Sequence, residues 1–263
     1  MKTNLREKKN NTSSNILTKA MQILDVIPDM NKPVSITELA ARTNLNITTV
    51  YRIANLLADN GYLRKEGKRG KFSIGLKFLK FNNALMNTLQ IRGIALPFME
   101  KLCAVSGEST NLAIRDGDKA VYIEHIESNH TLRTFTALGN RVPLHCTGVG
   151  KVFCAYMDGE SLRFSVMEKP LNKSSENTIS DHKILLKELS TIKREGVALD
   201  NGEMEIDVRC VAAPIFDSIG KVVAAVSISG PYTRLPDNRV NELKPLVKKY
   251  AIDISTAMGY GLN

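Results

Sequence analysis

The chain has 263 residues, 43% hydrophobic and 24% charged, enough apolar material for one large core or two modest ones. No apolar run approaches bilayer length, and the N-terminal stretch MKTNLREKKNNTSSN lacks the apolar segment of a secretory signal, so a cytoplasmic protein with no membrane partner is expected. The net charge of +9 sits at the front: residues 1–80 hold 15 Lys and Arg against 6 Asp and Glu, whereas residues 81–263 hold 21 of each. Such asymmetry suggests that one part meets a polyanion while the rest does something else.

Residues 1–12 are charged and Asn-rich with almost nothing to bury, and a disordered basic arm is expected there. Ser13 or Ser14 can cap a helix in which Ile16, Leu17, Ala20, Ile23, Leu24 and Ile27 recur at helical spacing, until Pro28 and the run PDMNKP end it. Ser35 and Glu38 form an S-x-x-E capping box opening a short helix through Leu39 to Ala41, and RTNL is a turn. Asn46 caps the next helix, which runs to about Asp59 and stops at Gly61. YLRKE and KFSIG then flank GKRG as a basic hairpin. In residues 76–90, Leu76, Leu79 and Leu85 return to helical spacing, which predicts a linker helix.

From about Ile91 helices and strands mix. IALPFMEKLCAVSG reads as a helix ending at Gly107, and NLAIRDGDKAVYIEHIE as two strands around Asp116 and Gly117. HTLRTFTAL is expected as another strand. A helix follows near Gly150, through Val152, Phe153 and Ala155. SDHKILLKELSTIKREG is an amphipathic helix, and RCVAAPIFDSIGKVVAAVSISG two apolar strands around a Ser218–Lys221 turn. The last helix carries Val240, Leu243, Val247 and Ile254. Hairpins with flanking helices predict an α+β domain, an antiparallel sheet covered by helices. Cys103, Cys146, Cys154 and Cys210 form no C-x-x-C pair and no zinc spacing, and are expected as buried free thiols.

The stretch NITTVYRIANLLADNGYL divides into two faces. On a wheel centred on Val50, Asn46, Ile47, Ile53, Ala54 and Leu57 share the core side, and Thr48, Arg52, Asn55 and Asp59 lie opposite. Asn can bond adenine twice, Arg can bond guanine, and Thr can meet a phosphate or a thymine methyl, so this face suits a major groove, with Thr49 and Tyr51 beside it. A short capped helix, a turn, this helix and a basic hairpin is the order of a winged helix-turn-helix. Lys65, Lys68, Arg69 and Lys71 would lie on or beside the wing, within reach of phosphates. A three-helix core with a solvated basic turn is the plainer reading; the hairpin and the localised charge favour duplex DNA.

ITELAARTNLNITTVYRIANLLADNGYLRKEGKRGKFSIGLKFLKF resembles the DNA-binding region of the IclR family of bacterial transcriptional regulators. GVALDNGEMEIDVRCVAAPIFD, PLHCTGVGK and VVAAVSISGP are similar to later stretches of that family, so the resemblance spans about residues 14–260. It implies an α+β chain: a winged helix-turn-helix over 13–75, a linker helix over 76–90, and over 91–263 an α/β effector-binding domain with a central antiparallel sheet of GAF/PAS-like kind. It further implies a homodimer or dimer of dimers on a palindromic operator, a small carboxylate effector, and most often repression of catabolic genes. Carried over by motif, Gly148 and Val149 would be backbone donors to the carboxylate. Asp200, Cys210, Ser227 and Ser229 would line the rest, with Thr134 a weaker candidate, and Glu203 matches the pattern without a ligand role. Ile47 departs from relatives that often carry Lys or Arg there, removing one phosphate contact.

The residues support that site on their own chemistry. Gly148 and Gly150 at a helix start expose N–H groups that favour an anion. A Walker A loop is excluded, since His145 stands where its first glycine would be and Val152 where its Ser or Thr would be. Ser227 and Ser229 alternate on one strand and so point the same way, and Asp200 can accept from a ligand hydroxyl. His125, His130, His145 and His182 are scattered, with no H-E-x-x-H and no G-x-S-x-G, so no catalytic residue, metal or cofactor is expected. An enzyme with a basic docking domain is the alternative from another class. An RNA-binding protein is a second, and the chain lacks the paired aromatic stacking motif of such modules.

Overall fold

The computed structural model describes residues 16–30, 32–67, 70–81 and 90–261, in two units that divide between Thr88 and Leu89. The arm expected over 1–12 and the middle of the expected linker helix, 82–89, lie outside the described residues.

The first unit comprises α1 (residues 16–26), α2 (Ile36–Thr43), α3 (Ile47–Asp59), the antiparallel pair β1 (Leu63–Glu66) and β2 (Lys71–Ile74), and α4 (residues 77–81). The capping box forms: the Glu38 N–H donates to the Ser35 hydroxyl (3.2 Å), and the Ser35 N–H to Glu38 Oε2 (2.7 Å). Asn44 takes the left-handed turn between α2 and α3 at φ 54°, a conformation Asn tolerates better than most residues. The Asn46 side chain then caps α3 through the Thr49 N–H (2.8 Å). Ile23, Ile27, Leu39, Val50, Ile53, Ala54, Leu63 and Phe72 share one core. Val34 exchanges two backbone hydrogen bonds with Phe72 (2.8 and 2.7 Å), tying the segment before α2 to the wing.

Three expectations are corrected. Leu17, read at helical spacing, is exposed, and of the core side of the wheel Asn46 is exposed and Ile47 is 55% exposed. Ile47 is the first residue of α3, one turn before Val50, so its side chain projects past the end of the core that Val50, Ile53 and Ala54 fill.

The second unit is a six-stranded antiparallel sheet in the order β5-β4-β3-β8-β7-β6. Its strands are β3 (Ser109–Asp116), β4 (Lys119–Ile126), β5 (Arg141–Pro143), β6 (Ala198–Asn201), β7 (Val208–Phe216) and β8 (Val222–Pro231). Alternate residues serve opposite faces. Val211, Ala213, Ile215, Val226 and Ile228 pack with α5 (Gln90–Ser106) and α9 (Asp237–Ala257). Ala113, Ala212 and Ala225 pack with α6 (Gly148–Tyr156) and α8 (His182–Glu195), while the four-residue α7 (Gly159–Leu162) follows α6. The edge strands β5 and β6 have three and four residues, too short to show a period in sequence. The strand expected for HTLRTFTAL does not form; the segment between β4 and β5 is irregular. It is held by side chains instead, since Ser109 Oγ donates to the Thr134 carbonyl (3.2 Å) and Arg234 to the Leu132 carbonyl (2.7 Å).

α6 starts against the end of β5 because Gly150 has no side chain. A Cβ there would lie 2.5 Å from both the Leu144 carbonyl oxygen and Thr147 Oγ1. Gly150→Ala is expected to cost about 1–3 kcal/mol by urea unfolding, as overpacked sites do. Gly93→Ala, in α5 with nothing near its added methyl, is expected to stabilise by up to about 1 kcal/mol through helix propensity.

Candidate functional site

In the first unit, α3 presents Thr48, Tyr51 and Arg52 to solvent, with Thr49 and Asn55 half-buried. The Thr49 N–H is used in the cap, which fixes the start of the helix. Asn55 Nδ2 donates to the Tyr51 carbonyl (2.7 Å), leaving its second N–H and its Oδ1, the two groups that meet adenine. On the wing, Lys65 is paired across the ladder with Phe72 and Lys71 with Glu66, so the two exposed lysines belong to opposite faces of the ribbon. Arg64 is committed to Glu66 and Ser73 (2.7 and 3.0 Å). Lys68 and Arg69 lie outside the described residues.

In the second unit the strand registers build two polar rows on the α6 side. One runs Asp200, Cys210, Ser229, Ser109 across β6, β7, β8 and β3. The other carries Ser227, Asn111 and His125 across β8, β3 and β4. A bulge in the β3–β4 ladder leaves Ile123 unpaired, which turns both Tyr122 and His125 to this side. The rows are wired together. His125 Nδ1 meets Asn111 Oδ1 (2.7 Å), Asn111 Nδ2 donates to Ser229 Oγ (3.0 Å), and Ser229 Oγ donates to Cys210 Sγ (3.0 Å). Burial holds His125 neutral and the Cys210 thiol protonated.

The first row ends in a cavity of about 540 Å³, bounded by Tyr122, Asp200, Cys210 and Ser229 on the sheet side. Leu132, Arg133, Thr134 and Phe135 of the irregular segment border it too, as do Met204, Glu205 and Tyr232. Thr134 Oγ1 donates to the Ser229 carbonyl (3.1 Å), so this wall is pinned to β8. Asp200 is buried, and its carboxyl is pushed up to about 7, chiefly by desolvation. Its Oδ1 accepts the Glu203 N–H (2.7 Å).

Behind Asp200, the fully buried Lys151 of α6 donates to Glu203 and, at 3.3 Å, to Glu188. The Thr178 hydroxyl donates to the Glu203 carbonyl (2.7 Å). The β6–β7 loop is thereby fixed from three sides, and Asp200 with it.

Two family models match the chain: the IclR helix-turn-helix domain over residues 16–67 and the bacterial transcriptional regulator IclR C-terminal domain over residues 83–256. The chain belongs to the IclR family. The repressor AllR of Escherichia coli K12 is 32% identical over 92% of this chain and 90% of its own length. The crystal structure of the Thermotoga maritima IclR superposes with a TM-score of 0.80 at 31% identity, covering 94% of this chain and all of that one. An IclR homologue from Microbacterium hydrocarbonoxydans complexed with 4-hydroxybenzoate has the same fold, with a TM-score of 0.77 at 24% identity, covering 92% and 98% of the two chains. As a member of the IclR family, the chain is a transcriptional regulator with a helix-turn-helix DNA-binding domain and a C-terminal effector-binding domain.

Of the residues that the resemblance assigned to the effector, Thr134, Asp200, Cys210 and Ser229 line the cavity. Gly148, Val149 and Ser227 do not. Ser227 is one row further in beside Asn111, and Gly148 packs on Ala212 and Cys210, leaving Thr147 as the α6 cap residue at the cavity. Thr134 lies on the irregular segment rather than a strand. Tyr122, Arg133 and Phe135 went unread in the sequence; only the bulge and the loop path bring them in. Of the histidines, His145 and His182 meet the carbonyls of Asn172 and Lys169 (3.0 and 3.1 Å). Among the described residues no three His, Cys, Asp or Glu gather as metal ligands would.

Lys151→Met leaves the Glu203 charge buried without its partner, and is expected to cost about 3–5 kcal/mol by chemical denaturation. Replacing both Lys151 and Glu203 by Met is expected to recover most of that loss, since two apolar side chains leave no charge to compensate.

Proposed function

We propose that the chain is a cytoplasmic repressor of catabolic genes that binds a palindromic operator as a homodimer or dimer of dimers and responds to a small organic acid in the Asp200 cavity. The observation that carries the DNA half is α3. Its exposed side bears Thr48, Tyr51 and Arg52, with the free half of the Asn55 amide beside them, in the unit that holds the whole charge excess of the chain. Arg52 and Asn55 have the groups for guanine and adenine edges, and Thr48 and Tyr51 for a thymine methyl or a phosphate. The Thr49 N–H sets the helix start. Lys65, Lys68, Arg69 and Lys71 supply sequence-independent attraction to phosphates. Two recognition helices in a dimer call for half-sites one helical turn, or a multiple, apart.

The effector half is supported by a cavity of a size for small molecules, and by the homologue that carries 4-hydroxybenzoate. Repression is supported by AllR, a repressor by name. The effector changes operator binding only if it favours one conformation over another. With regulators as relatives, a role without turnover is the better reading.

Arg52→Ala is expected to cost about 1–3 kcal/mol at the operator, with a much smaller loss on random duplex, in gel-shift titrations at fixed salt. An equal loss on both would reduce Arg52 to a phosphate contact. A thermal-shift screen of organic acids is expected to raise the melting temperature with the true effector, by an amount that grows with its concentration. If no acid shifts melting or operator affinity, the effector half fails.

A further inference from the structure

The cavity has a charge balance that fits an anion poorly at first sight. The acids Asp200, Glu205 and Asp207 all border it. Its one bordering cation among the described residues, Arg133, is paired with Glu127 at 2.8 Å. Lys151, behind the floor, is committed to Glu203 and Glu188. Among the described residues no ion pair includes Asp200. What the floor offers instead is neutral donors. Tyr122 borders the cavity and its hydroxyl has no hydrogen-bond partner among the described residues, while the Cys210 thiol already accepts from Ser229. Asp200 can join them only as a carboxylic acid.

Building on the reading of this cavity as the effector site, we propose that it captures a monocarboxylate by neutral donors, the Tyr122 hydroxyl and a protonated Asp200 carboxyl, so that above neutral pH each anion enters together with one proton. The proton comes from solvent and bridges two carboxyl groups, one of the protein and one of the ligand, which repel each other when both are ionised at contact. Burial prepares the pairing by raising the Asp200 carboxyl to about 7 in the empty protein.

Every titratable group packed around Asp200 bears on this. Glu203 from the β6–β7 loop and Lys151 from α6 act on it directly. Cys146, on the approach to α6, Tyr122 of β4 and Cys210 of β7 each feel the Asp200 charge, and Glu205 acts on the last two. The thiols and the phenol are held protonated by burial, Cys146 up to about 11, so they do not titrate near neutrality. Glu203 is raised too but holds Lys151, which leaves Asp200 as the proton acceptor and Glu203 as the group a control must exclude.

The test is isothermal titration of the full-length protein with benzoate and with glyoxylate, in buffers of different ionisation enthalpy at pH 6, 7 and 8. For an acid near 7 that must be protonated in the complex, linkage gives uptake of about 0.1, 0.5 and 0.9 proton per anion, and an affinity that falls about tenfold from pH 6 to pH 8. Asp200→Asn keeps an acceptor for the Glu203 N–H and a neutral donor for the ligand. It is expected to bind with the same affinity at all three pH values and no proton uptake. Tyr122→Phe is expected to weaken binding about tenfold while leaving proton uptake intact. Binding without proton uptake at pH 8 overturns the inference and leaves the effector reading standing. Uptake that persists in Asp200→Asn overturns it in favour of Glu203. Binding of neither acid overturns it along with the reading of the cavity as a monocarboxylate site.

Discussion

An ammonium group with no exposure to water needs a carboxylate, and among the described residues Lys151 pairs with Glu203 and Glu188. That requirement organises the effector-binding unit. The lysine issues from α6, whose start is fixed by Gly150 and the Thr147 cap against the end of β5. Its partner Glu203 lies on the loop between β6 and β7, and the N–H of that same residue donates to Asp200. A helix on one side of the sheet and a loop at its edge are thus held together by one buried pair. The position of Asp200 follows from that pair as much as from its own strand. A buried ion pair is weak evidence for net stability, because desolvation offsets most of the attraction. Here it fixes geometry: neither helix nor loop can shift without stranding a charge.

The same economy of charge explains the chemistry of the cavity. In this unit the buried cations Lys151 and Arg209 are engaged with carboxylates or carbonyls. Arg209 holds Asp237, Asn201 and the Leu235 carbonyl, and Arg234 grips Glu108 with two bonds of 2.6 Å. These pairs position walls rather than recognise a ligand. On the proposed reading of the cavity, recognition is left to hydroxyls, a thiol and one carboxyl, groups whose hydrogen bonds are directional and whose protonation burial controls. The relay from His125 through Asn111 and Ser229 to Cys210 orients them without adding net charge.

Much of this was legible in the sequence, and the boundary is physical. Caps are local events, so the Ser35–Glu38 box and the Asn46 cap could be read from residues three apart. Hairpins with Asp-Gly or Ser-x-x-Lys turns declare themselves, and β3, β4, β7 and β8 formed where expected. Asp200, Cys210 and Ser229 were found through family pattern, and their meeting in one row depends on register between strands, which no local signal carries. Tyr122 was hidden because a bulge breaks the alternation that would have placed it. The segment around Thr134 has the β-branched and aromatic composition of a strand, yet side-chain bonds from Ser109, Arg133 and Arg234 hold it irregular. Ile47 misled the wheel because a wheel has no ends, and the first residue of a helix can share the apolar side and still project beyond the core.

The two units therefore handle positive charge in opposite ways, and the difference suits the partners proposed for them. A phosphate backbone is a line of fixed charges in water, and the exposure of Arg52, Lys65 and Lys71 in the first unit suits the counterion displacement proposed for them. A small acid in a cavity must surrender its hydration, and a flexible surface cation would bind it wherever it met one. Neutral donors held by a rigid sheet can tell one acid from another by shape and hydrogen-bond direction. On that proposal, buried pairs such as Lys151–Glu203 serve discrimination indirectly, since a floor that cannot relax leaves a poorly fitting ligand with unpaired polar groups, and those are costly.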